Sequence, residues 1–177
     1  MDKKPKPILH KLVFVLLFPL WIWIVLLVLF IVIPFRIVFD FFRGLYLRYL
    51  FCTKWKAEGK FILFVYSNSP NWQEYIENNI FPKLQSHVVI LNCSRKSEWK
   101  KNPTVESKVF KHWGGERDYN PMAVIFPKFG KVRTIRFFQA FKDYKHGKKD
   151  LLERQEALLF ELFNELKTQF QTFQPMQ

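Results

Sequence analysis

The 177-residue chain carries 28 Lys and Arg against 15 Asp and Glu, a net charge of +13, with 49% hydrophobic residues and two cysteines. That length accommodates one domain plus an attached segment, and Cys52 and Cys93 alone build neither a disulfide framework nor a metal set. The charge invites a nucleic-acid reading, yet +7 of it falls in residues 1–56, where the positive flanks of a membrane segment account for it. No specific nucleic acid, metal or cofactor is expected.

Residues 1–11 form a basic tail with lysines at 3, 4, 6 and 11. From Leu12 to Phe35 no charge occurs, and Pro19 and Pro34 are the only interruptions, with Trp21 and Trp23 among the aliphatics. At ~1.5 Å per residue such a helix reaches ~36 Å, more than a hydrocarbon core of ~30 Å. The run is longer than the apolar part of a signal peptide, and no Ala-x-Ala site follows it, so a retained anchor in the lipid bilayer is predicted. Five cations (Arg36, Arg43, Arg48, Lys54, Lys56) and one acid follow the span. Against the four lysines ahead of the span the balance is nearly even, leaning the C-terminal side slightly toward the cytoplasm. Cytoplasmic flanks on both sides would require the chain to turn back near Pro19, so the anchor is single-pass or re-entrant. Over 36–56, Arg36, Asp40, Arg43 and Lys54 share a narrow arc at 100° per residue, which predicts an amphipathic helix on the membrane surface, with Arg36, Arg43 and Arg48 meeting headgroups.

A domain then spans 57–168. Phe61–Tyr66 is an apolar run of strand length, and Ser69 and Pro70 are a cap and first-turn residue for a helix carrying Trp72, Tyr75, Ile76 and Ile80. That helix ends or kinks at Phe81-Pro82. His87–Asn92 reads as a second strand, parallel to the first, so that Ser67–Asn71 and Asn92–Lys96 share one sheet edge. Ser94–Asn102 reads as a loop. Thr104 caps a short helix with Val105, Val109 and Trp113 inward, stopped by Gly114-Gly115. Met122–Phe126 and Val132–Phe138 are strands joined through Gly130, the second guarded by Arg133 and Arg136. Lys142–Lys149 reads as a basic loop whose Lys145, Lys148 and Lys149 suit phosphate or acidic lipid. Asp150 and Glu153 open a long amphipathic helix over 151–168, and 169–177 is a tail.

This order, β-α-β-α-β-β-α with Asn120-Pro121 ahead of the third strand and a Gly130-centred hairpin before a terminal helix, resembles the thioredoxin-like fold over roughly 60–168. It is also similar to a bacterial membrane-linked group with that arrangement. The resemblance implies a cis Pro121 beside the turn after the first strand. Where redox members carry Trp-Cys-x-x-Cys, this chain has Ser67-Asn68-Ser69-Pro70-Asn71-Trp72, so dithiol exchange lacks both thiols at that turn. The expected edge for a partner protein or membrane-linked ligand comprises Ser67, Asn68, Ser69, Trp72, Cys93, Arg95, Asn120 and Pro121.

Two alternatives stay open: an enzyme using Cys93 as a lone thiol, or the serine turn with a bound thiol cofactor, and a structural subunit of a membrane protein complex. Arg95 and Lys96 beside Cys93 favour thiolate, whereas a strand-end cysteine is ordinarily a packing residue. His87 and His112 lack a partnered carboxylate at a useful spacing, and Trp113-Gly114-Gly115 is first a helix stop.

Overall fold

Nothing in residues 18–55 stops a helix once it has begun. The computed structural model, which describes residues 18–115 and 119–171, has one continuous helix there, α1, over Phe18–Trp55. Its irregularity is a π turn at Val28–Val32, in which the Ile33 N–H reaches back to the Val28 carbonyl. Pro34 is the cause: it brings no N–H, and its ring crowds the carbonyl four residues earlier, so a widened turn ahead of it relieves the clash. The same solution recurs at Ile76–Ile80, two residues ahead of Pro82, with the Phe81 N–H bonded to the Ile76 carbonyl.

The chain separates into two compact units, residues 1–45 and 46–177. In the first, α1 carries its apolar side chains outward: Trp21, Trp23, Phe30 and Phe35 are exposed, and none of its most apolar window is buried. A helix hydrophobic on every side matches hydrocarbon rather than water, and this one has the length and composition of a membrane span. From Phe18 to Trp55 the helix does not reverse. The basic tail and residues 12–17 of the expected span lie outside the described residues.

The second unit is α/β. Four strands, β1 (Ile62–Tyr66), β2 (Val88–Asn92), β3 (Met122–Ile125) and β4 (Arg133–Arg136), lie in the order β2-β1-β3-β4. β2 is parallel to β1, while β3 is antiparallel to both β1 and β4, making a mixed sheet. The helices are α2 (73–84, regular at both ends around its π turn), α3 (Lys96–Lys101), α4 (Val105–Gly114), α5 (Phe138–Lys145) and α6 (Asp150–Gln171). β1 is buried along its whole length, as a continuous apolar run requires. One face places Ile62, Phe64 and Tyr66 among Ile76 and Ile80 of α2, Phe141 of α5 and Leu159 and Phe163 of α6. The other places Leu63 and Val65 among Leu47 and Phe51 of α1, Trp99 of α3 and Val109 and Phe110 of α4.

Several expectations are corrected here. The segment 36–56 is not amphipathic toward a membrane throughout, because from residue 46 onward α1 belongs to the domain. Leu47 and Phe51 are buried, and Phe51 stacks on Phe126 at a centroid distance of 4.3 Å. Regular helix α2 begins at Gln73 rather than at Pro70. Ser94–Asn102 is not a loop: a 3₁₀ turn at Cys93–Arg95 leads into α3, which buries Trp99 while Lys100 and Lys101 are exposed. Lys142 and Lys145 sit on α5 and not in a loop, because Phe137, Ala140 and Phe141 repeat at helical spacing and are buried; this also shortens the strand expected over 132–138.

Candidate functional site

Parallel pairing of β1 with β2 brings their C-terminal ends together, and antiparallel pairing with β3 brings the start of β3 to the same edge. Tyr66 is opposite Asn92, and Val65 is opposite Met122, so the Asn120-Pro121 dipeptide meets the turn that follows Tyr66. The Asn120–Pro121 bond is cis.

The turn residues are fully engaged with one another. Asn68 N–H donates to Ser94 Oγ at 2.9 Å, and Asn92 Nδ2 donates to Asn68 Oδ1 at 2.5 Å. The Asn92 carboxamide oxygen in turn accepts the Ser94 N–H at 2.9 Å, capping the Cys93–Arg95 turn. Ser69 does not cap α2 with its side chain. Its carbonyl accepts from Trp72 and Gln73 N–H, and its hydroxyl accepts from Asn71 N–H at 3.4 Å. Trp72 Nε1 donates to the Ser67 carbonyl at 3.1 Å, and its ring lies edge-on to Phe138, which also meets Tyr119. An aromatic chain thus links the serine turn to the residue preceding Asn120.

The structure therefore brings Ser67, Asn68, Ser69 and Trp72 to Asn92 and Ser94, with Asn120 and Pro121 opposite by register. Cys93 sits between two residues of this network but is half-buried and packs on the α1/α4 side of the sheet, with Leu91 and Trp99 in the same cluster. Its surroundings are those of a small packing residue. Arg95 is exposed. His87 is spent on the Gly59 carbonyl, 2.8 Å from its Nδ1. Arg36 and Arg43 are exposed on the first unit's helix, and Lys145 at the end of α5 and Lys148 and Lys149 after it are exposed. Arg48 corrects its expected role at a lipid surface: its guanidinium donates to the carbonyls of Gly130 and Pro127, each at 2.6 Å, and of Lys128 at 3.3 Å.

Sequence reasoning missed a groove of about 860 Å³ beside β2, lined by every residue of that strand and by Lys54, Trp55, Arg95, Trp99 and Glu106. Its one buried carboxylate, Glu106, accepts from Lys54 Nζ and from Trp55 Nε1, each at 2.8 Å. Burial pushes the Glu106 carboxyl up, but the hydrogen bonds from Lys54, its own backbone N–H, Thr104 and Trp55 outweigh it and hold the group below its ordinary range. At the other wall Tyr66 donates to Glu77 at 2.9 Å, and burial, then that bond, push its phenol up to about 12. Burial, and after it the neighbouring Glu156 carboxylate, likewise raise Tyr75. No local motif announces this groove, since its residues come from α1, two strands, α3 and α4.

No family model, curated protein or solved structure matches the chain. Function therefore rests on the geometry just described.

Proposed function

We propose that residues 46–171 are a thioredoxin-like domain without dithiol activity, tethered to a bilayer by α1 and binding a partner protein at the edge formed by Ser67–Trp72, Cys93–Arg95 and Asn120-Pro121. Support for the fold comes from the strand order β2-β1-β3-β4, the single parallel pair, and helices on both faces. The observation that carries the functional reading is the turn itself. Its side chains hold one another through Asn68, Asn92 and Ser94, and no thiol stands where an exchange reaction needs an attacking and a resolving sulfur. A rigid polar edge beside a long groove suits recognition of a protein segment. The adjoining edge strand β2 offers unpaired backbone groups, uncharged residues throughout and an exposed Ile90. By contrast, the other edge strand, β4, carries Arg133 and Arg136.

The test is an insulin-reduction assay on the full chain in detergent. It is expected to be blank, and turnover abolished by Cys93→Ser would sink the reading. For binding, a photo-crosslinker at Asn68 in native membranes is expected to capture a discrete partner. Loss of that product on Asn92→Asp, with retention on Lys149→Ala, assigns it to this edge. In this reading the domain lies on the cytoplasmic side, because five Lys and Arg follow the span against four lysines before it. Protection of the domain from protease in sealed right-side-out vesicles checks the orientation.

A further inference from the structure

Phenylalanine is mostly a core residue in the second unit: Phe51, Phe61, Phe64, Phe110, Phe126, Phe137 and Phe141 are all buried. Phe129 departs from this, being 73% exposed at the tip of the β3–β4 hairpin, where Gly130, at φ +90 and with open space around it, makes the turn. The tip reads Pro127-Lys128-Phe129-Gly130-Lys131-Val132-Arg133, with three cations and no acid. Lys131 and Arg133 are exposed, and Lys128 Nζ stands 5.7 Å from the Phe129 ring centre. Glu165 of α6 lines a small hollow of about 120 Å³ behind the tip.

This tip is also held in shape. Arg48 donates to three of its carbonyls, so these peptide oxygens are satisfied from within the domain, while the Phe129 ring, Lys131 and Arg133 are exposed. Within one turn of Arg48 on α1, Tyr46 and Tyr49 are 60% and 65% exposed. Tyrosine is a residue type that favours the membrane–water interface.

We propose that the hairpin tip 127–133 is a second lipid-contact site, which inserts Phe129 into the headgroup region of an anionic bilayer while Lys131 and Arg133 meet the lipid charge. The inference rests on the reading that α1 lies in a membrane. An apolar ring raised on a braced turn among cations, with aromatic neighbours beside the brace, complements a surface that is negative outside and apolar beneath. A nucleic acid would match the cations but gives no reason for tyrosines flanking the brace.

The experiment uses the full chain in nanodiscs, with Cys52 and Cys93 changed to Ala and an environment-sensitive fluorophore on Phe129→Cys. Bromine-labelled acyl chains are expected to quench the fluorophore several-fold more strongly in phosphatidylglycerol discs than in phosphatidylcholine discs. Lys131→Glu with Arg133→Glu is expected to bring the anionic value down to the zwitterionic one. A fluorophore at Asn102→Cys, beside the β2 groove, reads solvent in both. Equal quenching of Phe129→Cys in the two lipids, or full access to aqueous iodide in both, overturns the proposal. Carbonate extraction of the same chain from membranes reads α1 alone. A chain that resists extraction while its tip stays in water refutes the hairpin contact and leaves the anchor standing, whereas an extractable chain whose tip is still quenched does the reverse.

Discussion

Removing the Phe51 ring tests whether the end of α1 is structurally part of the α/β domain. Phe51 is fully buried, stacked on Phe126, whose N–H is tied to the Phe61 carbonyl and whose ring is pinned edge-on by Trp113. The site cannot collapse easily, because its neighbours belong to the sheet and to α4. Withdrawing the phenyl group from its apolar site costs ~2 kcal/mol. A residual void of roughly 80 Å³, at ~24 cal/mol per Å³, adds ~2 kcal/mol. Phe51→Ala is therefore expected to destabilise the domain by about 4 kcal/mol, which at ~4 °C per kcal/mol lowers Tm by about 16 °C. The assay is near-UV circular dichroism of the full chain melted in mild detergent, where the signal follows packed aromatic rings rather than helix content. Thr53→Ala, exposed on the same helix, is the control and is expected to stay within ~0.5 kcal/mol of the parent. If Phe51→Ala melts with the parent, the end of α1 lies on the membrane and not in the core.

Gly114 tests the close fit of the end of α4 against the Phe110 ring of the same helix. A Cβ there would stand 2.8 Å from the buried Phe110 ring, so Gly114→Ala is expected to cost ~1–3 kcal/mol in a urea titration, and an unchanged midpoint would contradict that contact. Glu106 is held below its ordinary value of 4.5 in the folded state, so its contribution is fully present above that pH and is lost as pH falls through the lower folded value; Glu106→Gln is expected to flatten this acid limb of the stability profile. Tyr66 has the opposite sign: its phenol is raised from 10.0 to about 12, so its contribution holds below pH 10 and disappears as pH rises toward 12. Tyr66→Phe is expected to remove part of the loss of stability between those limits, read as the urea midpoint against pH. Arg48→Met leaves three hairpin carbonyls without their donor and is expected to speed amide exchange across 127–131 without altering exchange in β1.

The strands and most helices were legible because each is written in a short stretch. Phe61–Tyr66 is apolar at every position and Thr104 precedes a periodic run, so β1 and α4 follow from local chemistry. The apolar helix was equally plain, since composition over twenty-odd residues needs no partner to interpret it. Where the sequence was ambiguous, partners distant along the chain decided. Ser94–Asn102 is polar enough to pass for a loop, and only the cavity waiting for Trp99 makes it α3. Leu47 and Phe51 suit a membrane surface as well as a core, and the sheet face bearing Leu63 and Val65 selects the core. Arg48 shows the same limit most clearly. Its charge is visible at once, but its partners lie some eighty residues away in a hairpin, and no spacing along the chain records that the two meet. That Ser67 and Asn92 share an edge was readable from the parallel strand pair, and Asn120 joined them through the fold resemblance, whereas the groove beside them, assembled from five elements, came into being only when the chain folded.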